Sequence, residues 1–438
     1  MMNLKKENNV QITLKFRWVI WGLITFAYGI KFFHSLSMGV VKDTLILEFG
    51  LTETTFVSIG NIFFYIYLVM QIPTGLLVDF YGARIVSSVG TFIAALGIII
   101  FSLANGIELL YVGRGMVGLG TSVIFVSILK IQSTWFRVSE FGTLTGLTCL
   151  IGTIGGALAQ TPLAILVNLI GWRNAFRLIG LISIIVSFLI FFIVRNKPSD
   201  YNMPSLNINN ETTMNSKGIF KGLWRVLINP QTWPIFLLYA GFYGTYVVFM
   251  GYYGTSFIAE VFNKTTVEAS NYIVLGVVGS ALGSLFVGNI SDRLKSRKKP
   301  LLITGFIYTI IWAFVVFNID ANFNSFLLLP VIFLIGFLSC AYVISWPTVK
   351  EVNDPRYVGV STSVANIGGF FGTVVLPPLV AGTIEKHEGI LNASNLYSKA
   401  FTIVLIASII AFISSLFVKE TGCKNIYIKT GGKNESNN

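Results

Sequence analysis

Carboxylates are the scarce ingredient of this 438-residue chain: 19 Asp and Glu stand against 31 Lys and Arg, and none lies in the middle of a long apolar run. Asp79 and Asp292 fall at one kind of run end, with Asp43 and Glu108 near the other. Proton movement through a carboxylate at depth therefore has little support. Only two histidines occur, and His387 falls in a polar segment between runs, so an active centre is left with the isolated His34. Catalysis would need paired acid–base or metal groups, and no enzyme is expected. Cysteine is as sparse: Cys149 and Cys340 lie in apolar runs and Cys423 in a polar tail, without the spacing of a metal centre or disulfide framework. No cofactor is expected.

What the chain has is hydrocarbon. Hydrophobic residues make up 54% and charged residues 11%, a balance that a water-soluble globule of this length does not show. Long apolar runs cover residues 18–39, 55–79, 84–104, 109–130, 141–168 and 175–194, then 233–254, 269–291, 300–319, 325–346, 358–382 and 399–418. Each is long enough to cross a bilayer as a helix, so the expectation is an all-α membrane protein of 12 spans, numbered here in chain order. Lys5, Lys6, Lys15 and Arg17 precede a first run too long for a signal-peptide core and without a small-residue cleavage site, so it reads as a permanent span.

The excess of cations is topological. If the N-terminus is cytoplasmic and the spans alternate, roughly 22 Lys and Arg fall on the cytoplasmic side, about 6 on the far side and about 3 within spans. The basic balance thus implies a bilayer and no nucleic acid. Both termini are expected in the cytoplasm.

The division is into residues 1–194, a linker over 195–230, and 231–438. Within the linker, 198–216 is rich in Asn, Ser and Thr, and Ile219–Leu227 mixes Lys221 and Arg225 with Phe220, Leu223, Trp224 and Leu227. That pattern predicts a short amphipathic helix at the headgroups. Gly75 and Asp79 recur as Gly288 and Asp292, and Gly146, Gly155 and Gly156 recur as Gly359, Gly368 and Gly369. The common offset, about 213 residues, predicts two homologous six-helix halves.

These residues resemble the major facilitator superfamily over essentially the whole chain. Between spans 2 and 3, Gly75, Asp79, Gly82 and Arg84 match that family's turn motif, with Phe80 where Arg is usual. The second copy has Gly288, Asp292 and Arg293 without the next Gly. Further matches are Arg114, Gly118 and Gly120 in span 4, the glycines of span 5 before Pro162, Gly171-Trp172-Arg173, and Asn229-Pro230-Gln231-Thr232-Trp233. Leu129-Lys130 to Trp135-Phe136 and Glu140 look most like bacterial organic-anion and sugar-phosphate permeases. The resemblance implies two pseudo-symmetric halves around a central cavity, with Gly75, Asp79, Arg84, Gly288, Asp292 and Arg293 as a conformational latch. It implies a secondary transporter in the plasma membrane, lined by spans 1, 4, 7 and 10.

Those four spans carry polar residues that lipid would not tolerate. At 100° per residue, Tyr28, Lys31, Ser35 and Met38 share one stripe of span 1, with His34 about 60° away. A mid-membrane Lys costs at least roughly 2.5–3.5 kcal/mol on insertion scales, so Lys31 should meet water, protein or an anionic substrate. His34 could add a second cation or relay a proton. Arg114 and Lys130 lie about 160° apart around span 4, so at most one should reach the cavity; Arg114 also suits a structural role, and Lys130 can snorkel. Tyr243 and Tyr246 on span 7, and Tyr342 and Trp346 on span 10, complete the candidate site. Cations without matching anions favour a small organic anion, such as a sugar acid, carboxylate or sugar phosphate, moved by exchange, facilitated diffusion or coupling to a proton or counter-anion. The alternatives are a drug or peptide carrier, suited by the aromatic span 7, and a membrane sensor that binds without transporting.

Overall fold

In lipid a chain must satisfy its own backbone, which leaves helices as the way to cross for runs of this length. The computed structural model describes residues 2–137, 140–201, 203, 216–318 and 323–427, and each of the twelve apolar runs is helical. By length and composition there are eleven candidate stretches, but one of them, Leu144–Ile193, holds two spans that fold back at Gly171 (φ 78°). A similar turn divides Glu53–Ser102 at Gly82 (φ 81°). Only glycine enters that region freely. In the second half the equivalent position is Lys295, which adopts φ 47° without being glycine, so the turn is kept where the motif residue is lost.

The spans are longer than their apolar cores. Span 1 runs Met2–Leu36, is interrupted at Ser37, and resumes as Met38–Phe49. Span 7 is Thr232–Val247, a π-helical turn Val248–Tyr253, and Gly254–Phe262. Span 4 breaks at Val123, and span 10 narrows to a 3-10 turn at Cys340–Ile344. The break in span 1 and the π turn of span 7 are related by the same offset of about 213 residues. They also meet. A Cβ on Gly39 would lie 3.0 Å from the Tyr252 carbonyl, and Gln160 donates to the carbonyls of both Leu36 (3.0 Å) and Met250 (3.2 Å).

Between the halves, the expected amphipathic segment is the helix Ser216–Ile228. It packs against the second half: Val226 meets Tyr357 and Val364 at the start of span 11, and Arg225 pairs with Asp354 at 3.7 Å. Trp224 points outward, 67% exposed. Most of the Asn/Ser/Thr-rich linker, residues 204–215, lies outside the described residues.

One end of the bundle, the terminal end, carries the N-terminal arm, this helix and the C-terminal segment. There Glu420 accepts from the Ser296 hydroxyl and from the backbone of Arg297 (2.9 Å) and Lys298 (3.2 Å), capping the start of span 9. Partial burial works against the Glu420 charge, but these donors outweigh it and hold the carboxyl down to about 2. The segment after span 12 is thereby fastened across the second half at neutral pH.

The two halves are joined at the opposite end. Thr54 donates to Glu385 (2.6 Å), Tyr252 to Asn61 (2.9 Å), Ser256 to Asp43 (3.5 Å), and Thr161 to Asn271 (2.8 Å). Further along spans 2 and 11 come Asn61 to the Val374 carbonyl, the Tyr67–Phe370 ring contact and Asn366 to Gln71. At the terminal end the seam is different. Gly75, Gly146, Gly288 and Gly359, one on each of spans 2, 5, 8 and 11, have no heavy atom within 4 Å of an added Cβ. These four glycines face open space among the described residues, so the structure is sealed at one end and parted at the other.

Candidate functional site

Lys31 is the organising charge. Its side chain is nearly enclosed, with the residue 3% exposed, and among the described residues it makes no ion pair. The ammonium lies 4.0 Å from the Phe32 ring centroid, 5.1 Å from Tyr67, 5.7 Å from Tyr28 and 5.9 Å from Phe370. Ring faces attract a cation but give it no counter-charge. Tyr28 is fixed by stacking on Phe125 of span 4 at 5.3 Å, and Ser35 spends its hydroxyl on the Phe32 carbonyl of its own helix.

His34 is fully buried beside Arg114, and neither ring nitrogen has a hydrogen-bond partner among the described residues. The Arg114 guanidinium donates to the His34 carbonyl (2.9 Å) and the Gly60 carbonyl (3.4 Å) and lies 5.1 Å from the Phe63 ring. It ties spans 1, 2 and 4 together. Lys130 is turned away from these groups and pairs with Asp79 at 3.3 Å.

Across the seam the second half offers rings. Tyr239 and Tyr342 stack at 4.9 Å with planes 3° apart, Trp346 stands edge-on to both, and Tyr243 meets Tyr342 at 5.3 Å. Phe370, 6.3 Å from Tyr243 and 4.5 Å from Tyr67, links this cluster to the Lys31 cage. Tyr246 sits one turn along and reaches Ser280 at 3.4 Å. The structure therefore groups Tyr28 and Lys31 with Tyr243, Tyr342 and Trp346, sets His34 and Arg114 just behind them, and leaves Lys130 apart.

Tyr67 and Phe370 were not among the expected site residues because only spans 1, 4, 7 and 10 were expected to line the cavity. Their signal was faint: Phe370 directly follows Gly368 and Gly369, whose added Cβ atoms would strike span 7. At the latch, Arg84 donates to the Phe191 carbonyl (2.8 Å), holding span 3 against span 6, while Lys130 is the partner of Asp79. In the second half Arg293 is exposed, and the partner of Asp292 is Arg297 (2.7 Å), which also pairs with Glu351 (2.8 Å). The signal was present, since Arg297 stands to Asp292 as Arg84 stands to Asp79.

The family model for the Major Facilitator Superfamily matches residues 21–377. The chain belongs to the Major Facilitator Superfamily. It is a multi-pass membrane protein with the superfamily's fold. It is 23% identical to a probable sulfoacetate transporter of Cupriavidus necator, over 86% of this chain and 89% of that protein. It is also 24% identical to a hexuronate transporter of Bacillus subtilis, over 89% and 92%. Among solved structures it resembles a bacterial homolog of the human lysosomal transporter Spinster, with a TM-score of 0.74, 16% identity, and coverage of 92% of this chain and 97% of that one.

Proposed function

We propose that this superfamily member is a permease for a small organic anion, held by Lys31 and passed across the membrane as the two halves rock about the seam. The observation that carries the reading is the buried Lys31 ammonium with ring faces around it and, among the described residues, no ion-pair partner. A cation so placed costs stability, and an anion arriving at it recovers that cost. The relatives named for organic acids agree in substrate chemistry. His34, one turn from Lys31 with no hydrogen-bond partner on either ring nitrogen among the described residues, is the candidate for a coupling proton, and exchange against a second anion would use the same cage.

The concentration of Lys and Arg at the terminal end supports reading that end as cytoplasmic. On that reading the sealed end faces outward and this is the inward-open state. Closing the terminal end must bring the four open seam glycines against opposing helices. Gly75→Leu combined with Gly359→Leu should therefore fold and bind, yet slow counterflow in proteoliposomes several-fold; unimpaired counterflow would contradict this closing movement.

The reading is tested by thermal stabilisation of the purified protein with anionic, neutral and cationic solutes. A ligand at 100 times its dissociation constant adds about 2.7 kcal/mol. Stabilisation by anions alone is expected, and stabilisation only by neutral or cationic solutes would replace the anion permease with a drug or peptide carrier.

A further inference from the structure

The two halves present opposite chemistry to the seam. Lys31, with His34 behind it, belongs to the first half, and along spans 7, 8, 10 and 11 of the second half charged residues occur only at the ends. The second-half ring nearest the Lys31 ammonium is Phe370 at 5.9 Å, and beyond it, through Tyr243 at 6.3 Å from Phe370, stands the platform of Tyr239, Tyr243, Tyr342 and Trp346.

We infer that the substrate is a one-ended anion: all its negative charge sits at one end against span 1, and its uncharged body lies on the aromatic platform of spans 7 and 10. The inference rests on the anion-permease reading and narrows its substrate class. A phenol or indole face carries negative potential and its rim offers only neutral donors. A carboxylate or sulfonate pressed onto that platform would lose water without gaining a counter-charge, whereas the C–H face of a sugar ring or a short apolar chain would stack favourably. Spare charge at the same end is different. A doubly charged head group such as a phosphate carries both charges at one end, so both stay against the first half beside Lys31. Acids charged at both ends, such as aldarates and dicarboxylates, are disfavoured by the same geometry.

The experiment compares D-glucuronate, D-glucarate and D-glucose as ligands of the full-length protein in detergent, read by melting temperature against concentration. The three share six carbons and differ in charge at one end, both ends and neither. Glucuronate should bind at least about tenfold more tightly than glucarate. In Tyr342→Arg, which puts a cation on the platform, the preference should fall or invert, and in Tyr342→Leu glucuronate should weaken toward the affinity of acetate. Equal or tighter glucarate binding that disappears in Lys31→Ala would overturn the one-ended substrate while leaving an anion permease. Glucose binding as tight as glucuronate would overturn the anion reading itself. Elution of each variant as a single folded species separates lost binding from lost fold.

Discussion

Lys31→Ala should abolish uptake of an anionic substrate in proteoliposomes, and Lys31→Met should do so while melting at a higher temperature than the parent in the absence of ligand. Removing one partner of a buried charge interaction costs about 2–5 kcal/mol, so transport at limiting substrate should fall about 30-fold to several-thousand-fold. The stability term has the opposite sign. In the unliganded protein the ammonium is nearly enclosed, within 6 Å of four rings, and has no ionic partner among the described residues. An apolar residue of similar volume there should be neutral or stabilising, by about 1–4 kcal/mol. Loss of transport together with gain of stability is the signature of a charge kept for its ligand. A purely structural lysine would show loss of both, and full uptake by a folded Lys31→Ala protein would remove Lys31 from the pathway.

Much of this architecture was legible in the residues. Hydrocarbon-length runs fixed the number of spans, and the repeated Gly75/Asp79 and Gly288/Asp292 register announced the two halves. Helix interruptions were not legible, because they do not fall where sequence rules look for them. Pro73, Pro330, Pro377 and Pro378 lie inside helices that continue through them, while spans 1 and 7 break at Ser37 and Val248–Tyr253, where no proline stands. Those breaks are held by tertiary contact, the Gln160 amide bonding carbonyls from both. The site was half legible for the same reason. The apolar surroundings of Lys31 in span 1 showed that its charge needed company. That the company is Tyr67 and Phe370, from two other spans, depends on how spans 2 and 11 cross. Arg114 and Lys130 were legible as cations on opposite sides of span 4, but which of them stands by the site shows only in their partners, the His34 and Gly60 carbonyls for one and Asp79 for the other.

The second large effect is expected at the sealed end, where Lys42→Met should destabilise the protein by about 3–5 kcal/mol and Glu53→Gln, added to it, should recover most of the loss. Lys42 and Glu53 form an ion pair at 2.7 Å, with side chains 3% and 8% exposed. The second Glu53 carboxylate oxygen and the Tyr253 hydroxyl have no hydrogen-bond partner among the described residues. Removal of the lysine therefore leaves a buried carboxylate with nothing to replace its counter-charge, whereas the double variant buries only a neutral amide. The pair also spans the seam in effect, because the Lys42 ammonium lies 5.1 Å from the ring centroid of Tyr253 in the other half. Its loss should loosen the seal as well as the fold: a cysteine introduced at Thr54, beside Glu385, should react faster with an impermeant maleimide in Lys42→Met than in the parent background. Equal melting temperatures for Lys42→Met and the parent would show that water already reaches the pair, and that the seal rests on the other contacts at that end.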